Sequence, residues 1–126
     1  MFVLRLTAAA AILASAAACN SYSPSSPSPQ PDPGGGGQST TVIIPMGASN
    51  LGDRAFSPDG IEVDAGTIIT WINTDSQAHT STSNAAGWNS GTVQPNGRFA
   101  VALNNPGTYP YHCTIHPGMV GTVTVR

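Results

Sequence analysis

Residues 109–119, near the end of this 126-residue chain, read Tyr-Pro-Tyr-His-Cys-Thr-Ile-His-Pro-Gly-Met. Cys113, His116 and Met119 follow one another at steps of three residues within this stretch. A run rich in β-branched and aromatic residues precedes the three, and a second such run follows them, so we predict a short loop between two strands. The loop therefore brings a thiol, an imidazole and a thioether close together.

These three side chains, with a second imidazole, match the ligands of a known kind of metal site. His79 is the only histidine outside the C-terminal stretch. One Cys, two His and a weak axial Met form the ligand set of a blue-copper electron-transfer site. Zinc is the alternative metal, but thioethers are not among its ligands, and copper has the higher divalent affinity. We therefore predict one copper per chain, with His79, Cys113, His116 and Met119 as ligands.

The Cys-x2-His-x2-Met spacing resembles that of the cupredoxin family, and most closely its amicyanin and plastocyanin groups. Residues 66–73 resemble the family's strand before the first His ligand, and residues 120–125 resemble its closing strand; the resemblance covers about residues 40–126. It implies an all-β fold, a Greek-key β-sandwich of about seven to eight strands. It also implies that His116 reaches the surface as the site of electron entry and exit, flanked by Ile115, Pro117 and Gly118.

The chain departs from the plastocyanin-like pattern at one position beside the site. An Asn often follows the first His in that pattern and bridges the two ligand loops, whereas here the residue is Thr80. We expect the Thr80 backbone N–H to donate to the Cys113 sulfur and its hydroxyl to replace part of the bridge. His112 is expected to point away from Cys113, because successive residues of a strand face opposite sides. For Met46 we predict a packing role.

Turn-forming sequences recur at short intervals from residue 40 onward, with short β-branched or aromatic runs between them. This pattern is typical of an all-β sandwich, and no long run has the 3.6-residue period of a helix. Within the predicted strands, Ile69 and Trp71 share one face, and Trp88 is predicted to cover the core. The candidate strands are residues 41–44, 61–63, 68–73, 79–83, 98–103, 108–113 and 120–125.

The N-terminal third of the chain has the composition of targeting and linker segments. Residues 1–18 form a predicted export signal peptide, with Arg5 before an apolar run that ends in small residues. Cys19 follows directly, which favours a lipidated bacterial lipoprotein; ordinary cleavage that leaves a spare thiol is the alternative. Residues 19–38 form a Pro- and Gly-rich linker, a semi-rigid part followed by a flexible one. The copper domain is predicted over residues 39–126.

Composition restricts the function. The chain has no Lys, four Arg and a formal charge of -2, so it offers no basic surface for nucleic acid. Too few histidines remain for a second, catalytic copper, so we predict that it is not an enzyme. The prediction is a monomeric electron carrier between transient redox protein partners. The alternative is a periplasmic module that sequesters copper. We expect export to the bacterial periplasm, or membrane tethering that faces the periplasm or the cell exterior, with a lipid on Cys19 as the only membrane contact.

Overall fold

Seven strands follow one another along residues 37–126, the part of the chain that the computed structural model describes. Two short 3-10 turns, Ala48–Asn50 and Gly52–Arg54, separate the first two strands. The predicted export signal, Cys19 and all but the last two residues of the predicted linker lie outside the described residues. The strands are β1 (Ser39–Ile44), β2 (Gly60–Val63), β3 (Ile68–Asn73), β4 (Thr82–Ser83), β5 (Arg98–Ala102), β6 (Gly107–His112) and β7 (Val120–Val125).

The strands form two sheets, as a β-sandwich requires. One sheet has the order β1-β3-β5, with β1 parallel and β5 antiparallel to β3. The other has the order β2-β7-β6-β4, with β2 parallel to β7 and the remaining pairs antiparallel. Because the chain crosses between the sheets after each of the first five strands, strands distant in sequence become neighbours. The predicted all-β sandwich is confirmed.

The core lies between the sheets and follows the alternation of side chains along each strand. Ile69 and Trp71 of β3 are fully buried, as are Val123 of β7 and Tyr111 of β6. Each large apolar side chain that is moved out of water contributes about 1.5–3 kcal/mol. Trp88 is buried in the same cluster, 5.3 Å from Trp71 between ring centroids, so its predicted role as a cover for the core is confirmed.

The predicted strand 79–83 is wrong over its first three residues. Only Thr82–Ser83 form the short strand β4, and His79 makes an isolated bridge with Val93. The Thr80 backbone N–H donates to the Cys113 sulfur and the Ser81 N–H donates to the Ser90 hydroxyl. Side chains therefore take the hydrogen bonds that a strand would give to its neighbour.

The packing role predicted for Met46 is also wrong. Its side chain is 66% exposed, in the turn directly after β1. Gly47, the next residue, has a φ of 75°, a left-handed conformation that redirects the chain out of the sheet. The next residue to be buried is therefore Ala48, and Met46 lies at the surface.

None of the helices within residues 37–126 combines the length and the apolar character that crossing a bilayer would require.

Candidate metal centre

Two loops at one end of the sandwich carry the predicted ligands. Residues 74–81 connect β3 to β4, and residues 113–119 connect β6 to β7. The second loop is short because its two flanking strands pair directly, with His112 opposite Val120. Cys113 and Met119 thus occupy the two ends of one hairpin loop. The Cys113 N–H closes that loop by donating to the Met119 carbonyl oxygen over 3.1 Å.

The structure brings three of the four predicted ligands together. The Nδ1 atoms of His79 and His116 each lie 3.9 Å from the Cys113 sulfur and 3.1 Å from each other. His79 and Cys113 are buried, whereas His116 is partly exposed. Met119 is fully buried at the end of the same loop. Three donor atoms of the types that bind first-row metals therefore converge on one point.

The spacing of these donors would suit a metal ion that is bound by all three of them. The centre of a triangle with these sides lies about 2.1 Å from each corner, within the roughly 2.0–2.3 Å range of metal bonds to His and Cys. A thiolate and two imidazoles at these separations would together hold one metal ion, and this donor set suits copper.

A hydrogen bond to its sulfur also adapts Cys113 to metal binding. The Thr80 backbone N–H donates to the Cys113 sulfur over 3.3 Å, as the sequence analysis predicted. Within residues 37–126 Cys113 is a free cysteine, so its sulfur is available as a ligand. A donor aimed at sulfur stabilises the thiolate, which is the form that binds metal.

The Thr80 hydroxyl connects the two ligand loops, which confirms the predicted bridge. It accepts a hydrogen bond from the Thr114 backbone N–H over 2.8 Å and lies 3.2 Å from the Thr114 hydroxyl. The Thr82 hydroxyl donates to the same oxygen over 3.1 Å. One small side chain therefore holds the residue after Cys113 against the residue after His79.

Asn73 shapes the loop that carries His79. Its side-chain amide donates to the carbonyl oxygens of Gln77 and Val93 over 2.7 and 2.9 Å, and its Oδ1 accepts from the Asp75 N–H. Asn73 is fully buried at the end of β3. These bonds turn the chain back within the few residues between β3 and His79, so that the imidazole faces Cys113.

Asp75 is a residue of this site that the sequence analysis missed. Its Oδ2 lies 2.8 Å from Nε2 of His79, with both side chains buried. Burial alone would raise the pKa of Asp75, but hydrogen bonds from His79 and from the backbone N–H groups of Gly47, Ser76 and Ala48 outweigh it. The pKa falls from 3.8 to about 2, and the carboxylate is charged at neutral pH. The i, i+4 spacing of Asp75 and His79 was the available signal.

His112 lies outside the donor cluster, as predicted. Its Nδ1 is hydrogen-bonded to the Asn84 side chain on the outer side of the sheet. Tyr111 and Cys113 are both buried on the inner side. The residues that flank His116 in the loop, Ile115, Pro117 and Gly118, are exposed and carry no charge. Of the three donors only His116 is partly exposed, so it is the donor nearest to solvent.

Comparisons with known proteins point to one family. A family model described as a cupredoxin-like domain matches residues 10–125. The chain is 34% identical to amicyanin-alpha of Methylorubrum extorquens over 76 residues, which are 56% of this chain and 64% of that protein, just under two thirds of its length. It is 28% identical to a plastocyanin of Scenedesmus fuscus over 98 residues, 68% of this chain and 99% of that protein.

Solved structures agree with these sequence matches. A purple cupredoxin from Nitrosopumilus maritimus superposes with a TM-score of 0.64 at 33% identity, over 69% of this chain and 99% of that one. The reduced state of an amicyanin variant superposes with a TM-score of 0.59 at 25% identity, over 72% of this chain and 83% of that one.

Proposed function

Because this chain belongs to the cupredoxin-like family, we propose that it is an electron carrier, and not an enzyme, that holds one copper ion and cycles it between Cu(I) and Cu(II). The observation that carries the proposal is the triangle of donor atoms from His79, Cys113 and His116, whose centre suits a metal ion. Met119, buried at the end of the loop, is the proposed axial ligand.

The residues of this chain suit a metal that changes charge without moving its ligands. A bound copper supplies the one-electron change. The Cys113 thiolate favours Cu(I), the two imidazoles suit either oxidation state, and a thioether binds weakly. Hydrogen bonds across the two loops would hold the donors in place in both oxidation states. His116 is partly exposed between uncharged loop residues, which supports electron exchange there with transient protein partners through a small interface.

Reversible exchange of electrons distinguishes a carrier from a module that sequesters copper. Among residues 37–126, no second group of three or more His, Cys, Asp or Glu side chains lies close enough together to hold a metal. Sequestering copper would be served by several open sites, whereas one compact, largely buried site suits electron transfer. The monomeric state stays a prediction.

Copper loading followed by redox titration tests the proposal. We expect one copper per chain, an intense visible thiolate-to-Cu(II) band that bleaches on reduction and returns on oxidation, and copper that stays bound throughout. Cys113→Ser should remove the band, and His112→Gln, which changes a histidine outside the cluster, should keep it. Three outcomes would contradict the proposal. The protein could prefer zinc and stay colourless when loaded with copper, the visible band could survive Cys113→Ser, or copper could be released at each reduction.

We further propose that the protein is exported and tethered to a membrane through a lipid on Cys19, with residues 19–38 as the leash between the anchor and the domain. The support is the order of the segments: a predicted signal peptide, a Cys, and a Pro- then Gly-rich linker. A leash raises the effective concentration of the domain near redox partners on that membrane.

Cell fractionation tests the tether. Wild-type protein should fractionate with membranes, and Cys19→Ser should release it into the soluble fraction with an unchanged copper spectrum. A wild-type protein that is already soluble, with an unmodified N-terminus, would contradict the lipid anchor and leave a diffusible periplasmic carrier.

A further inference from the structure

Asp75 is the only Asp, Glu, Lys or Arg among the buried residues of the described part of the chain, residues 37–126. The residue is 3% exposed. Side chains of this type are almost never fully buried unless they are paired, because removing a charge from water is costly. The position of this carboxylate, on the side of His79 away from the donor triangle, therefore calls for a physical explanation.

The carboxylate is surrounded by hydrogen-bond donors. The backbone N–H groups of Gly47, Ala48 and Ser76 donate to it over 3.1, 3.2 and 2.7 Å, the Ser76 hydroxyl lies 3.5 Å away, and Nε2 of His79 lies 2.8 Å away. A charged carboxylate only accepts hydrogen bonds, so Nε2 of His79 must carry a proton. In a neutral His79 ring, Nδ1 then carries no proton and has a free lone pair. Nδ1 is also the atom that faces Cys113 and His116.

We propose that Asp75 is a positioning residue that holds His79 in the tautomer with Nδ1 free for metal, and that its buried charge lowers the reduction potential of the site. The inference deepens the proposed function and rests on it. An outer carboxylate that accepts a hydrogen bond from a metal-binding imidazole fixes the ring and makes it a stronger ligand.

The effect on the potential follows from the sign and place of the charge. The carboxylate contacts one edge of the His79 ring, and the donor cluster contacts the opposite edge. A negative charge at this distance stabilises Cu(II) more than Cu(I), and salt screens a buried charge weakly. The site with Asp75 should therefore be harder to reduce than the same site with a neutral residue.

A purely structural role is the competing explanation. Through Gly47 and Ala48, Asp75 also attaches the turn after β1 to the loop that carries His79. If that attachment were its whole role, removing the charge would lower stability and leave the potential unchanged. The two explanations thus differ in one measurable quantity, the reduction potential.

The test compares Asp75→Asn with Asp64→Asn in the copper-loaded protein. Both substitutions remove one negative charge, but Asp64 is exposed and lies near the opposite end of the sandwich. The backbone N–H of the next residue, Ala65, donates there to the carbonyl oxygen of Arg126, which follows the end of β7. We expect Asp75→Asn to weaken Cu(II) binding about tenfold, the lower end of the usual loss of affinity for such residues, and to leave Cu(I) binding nearly unchanged. That factor corresponds to a rise in potential of about 59 mV. A shift no larger than that of Asp64→Asn overturns the proposal.

Nitrogen NMR of the metal-free wild-type protein tests the positioning separately from copper. We expect the neutral His79 ring to carry its proton on Nε2; a neutral ring with the proton on Nδ1 overturns the proposal, and this readout does not require Asp75→Asn to fold. A colourless copper-loaded wild-type protein would contradict the proposed function instead, and the tautomer measurement would still test the hydrogen bond from His79 to Asp75.

Discussion

The individual side chains around the donor triangle have different roles, which single substitutions can distinguish. Cys113 supplies the sulfur, Thr80 binds it and connects the two ligand loops, and Asp75 orients His79. Met119, the proposed axial ligand, differs from these, because a weak axial thioether tunes a blue-copper site more than it holds the metal. Substitutions at these positions should therefore change different properties of the protein.

Met119→Gln should keep a coloured copper site and lower its reduction potential. The amide oxygen is a harder ligand than the thioether and favours Cu(II). Redox titration of the copper-loaded variant measures the effect. Met46→Gln is the matched control, because it makes the same change at a side chain that is 66% exposed. Complete loss of copper from Met119→Gln would show that Met119 is a principal ligand.

Thr80→Val should destabilise the metal-free protein while Thr80→Ser largely preserves it. Valine has the shape of threonine but lacks the oxygen that accepts from the Thr114 N–H over 2.8 Å, and serine retains it. Loss of a partly buried hydrogen bond costs about 1 kcal/mol. Urea unfolding measures the difference. Equal stability of the two variants would show that the hydroxyl bridge contributes nothing to holding the loops.

At the scale of elements, the hairpin of β6 and β7 determines where the ligand loop begins and ends. Tyr111 lies opposite Gly121 across this pair. The Tyr111 ring packs against the rings of Phe56 and Trp71, with centroids 4.7 and 5.4 Å away, so it has no room to move. The loop with Cys113 thus starts from a strand that is anchored in the core.

Gly121→Ala should destabilise this hairpin. A Cβ at Gly121 would lie 2.5 Å from the Tyr111 ring, which cannot shift without disturbing the core. Overpacking of this kind costs about 1–3 kcal/mol. Gly60→Ala, in the neighbouring strand β2, is the control, because a Cβ there meets nothing within 4 Å. Thermal unfolding of the metal-free variants compares them, and an unchanged midpoint for Gly121→Ala would contradict the close packing.

At the scale of the whole domain, the buried charge of Asp75 makes stability depend on pH. Its pKa is about 2 in the folded protein against the ordinary value of 3.8, so its contribution is fully present above pH 3.8. That contribution, about 2 kcal/mol, is lost as the pH falls from 3.8 towards 2.

Urea unfolding of the metal-free protein at pH 6 and pH 2.5 measures this contribution. Wild type and Asp64→Asn should lose more stability between the two pH values than Asp75→Asn does, because the amide that replaces the carboxylate in that variant does not take up a proton in this range. If all three proteins lost stability equally, the carboxylate of Asp75 would not be the group responsible.

The sequence by itself was sufficient for the features that depend on near neighbours. The spacing of Cys113, His116 and Met119 predicts a single loop, because residues three apart between two strands cannot separate widely. The limits of β3 and β7 were predicted to the residue, since alternation of buried and exposed side chains is a local property. The assignment of the four metal ligands stays a prediction that the geometry supports.

Only the tertiary structure decided the features that depend on distant partners. Residues 79–81 have the composition of a strand, yet the N–H groups of Thr80 and Ser81 donate to side chains of other segments. Met46 is apolar, yet the left-handed turn at Gly47 leaves it in solvent. In the sequence Asp75 resembles an ordinary loop aspartate. Only the folded structure places three backbone N–H groups and His79 around its carboxylate. The free energy of a buried polar group depends on what the fold places around it, and sequence spacing does not specify those partners.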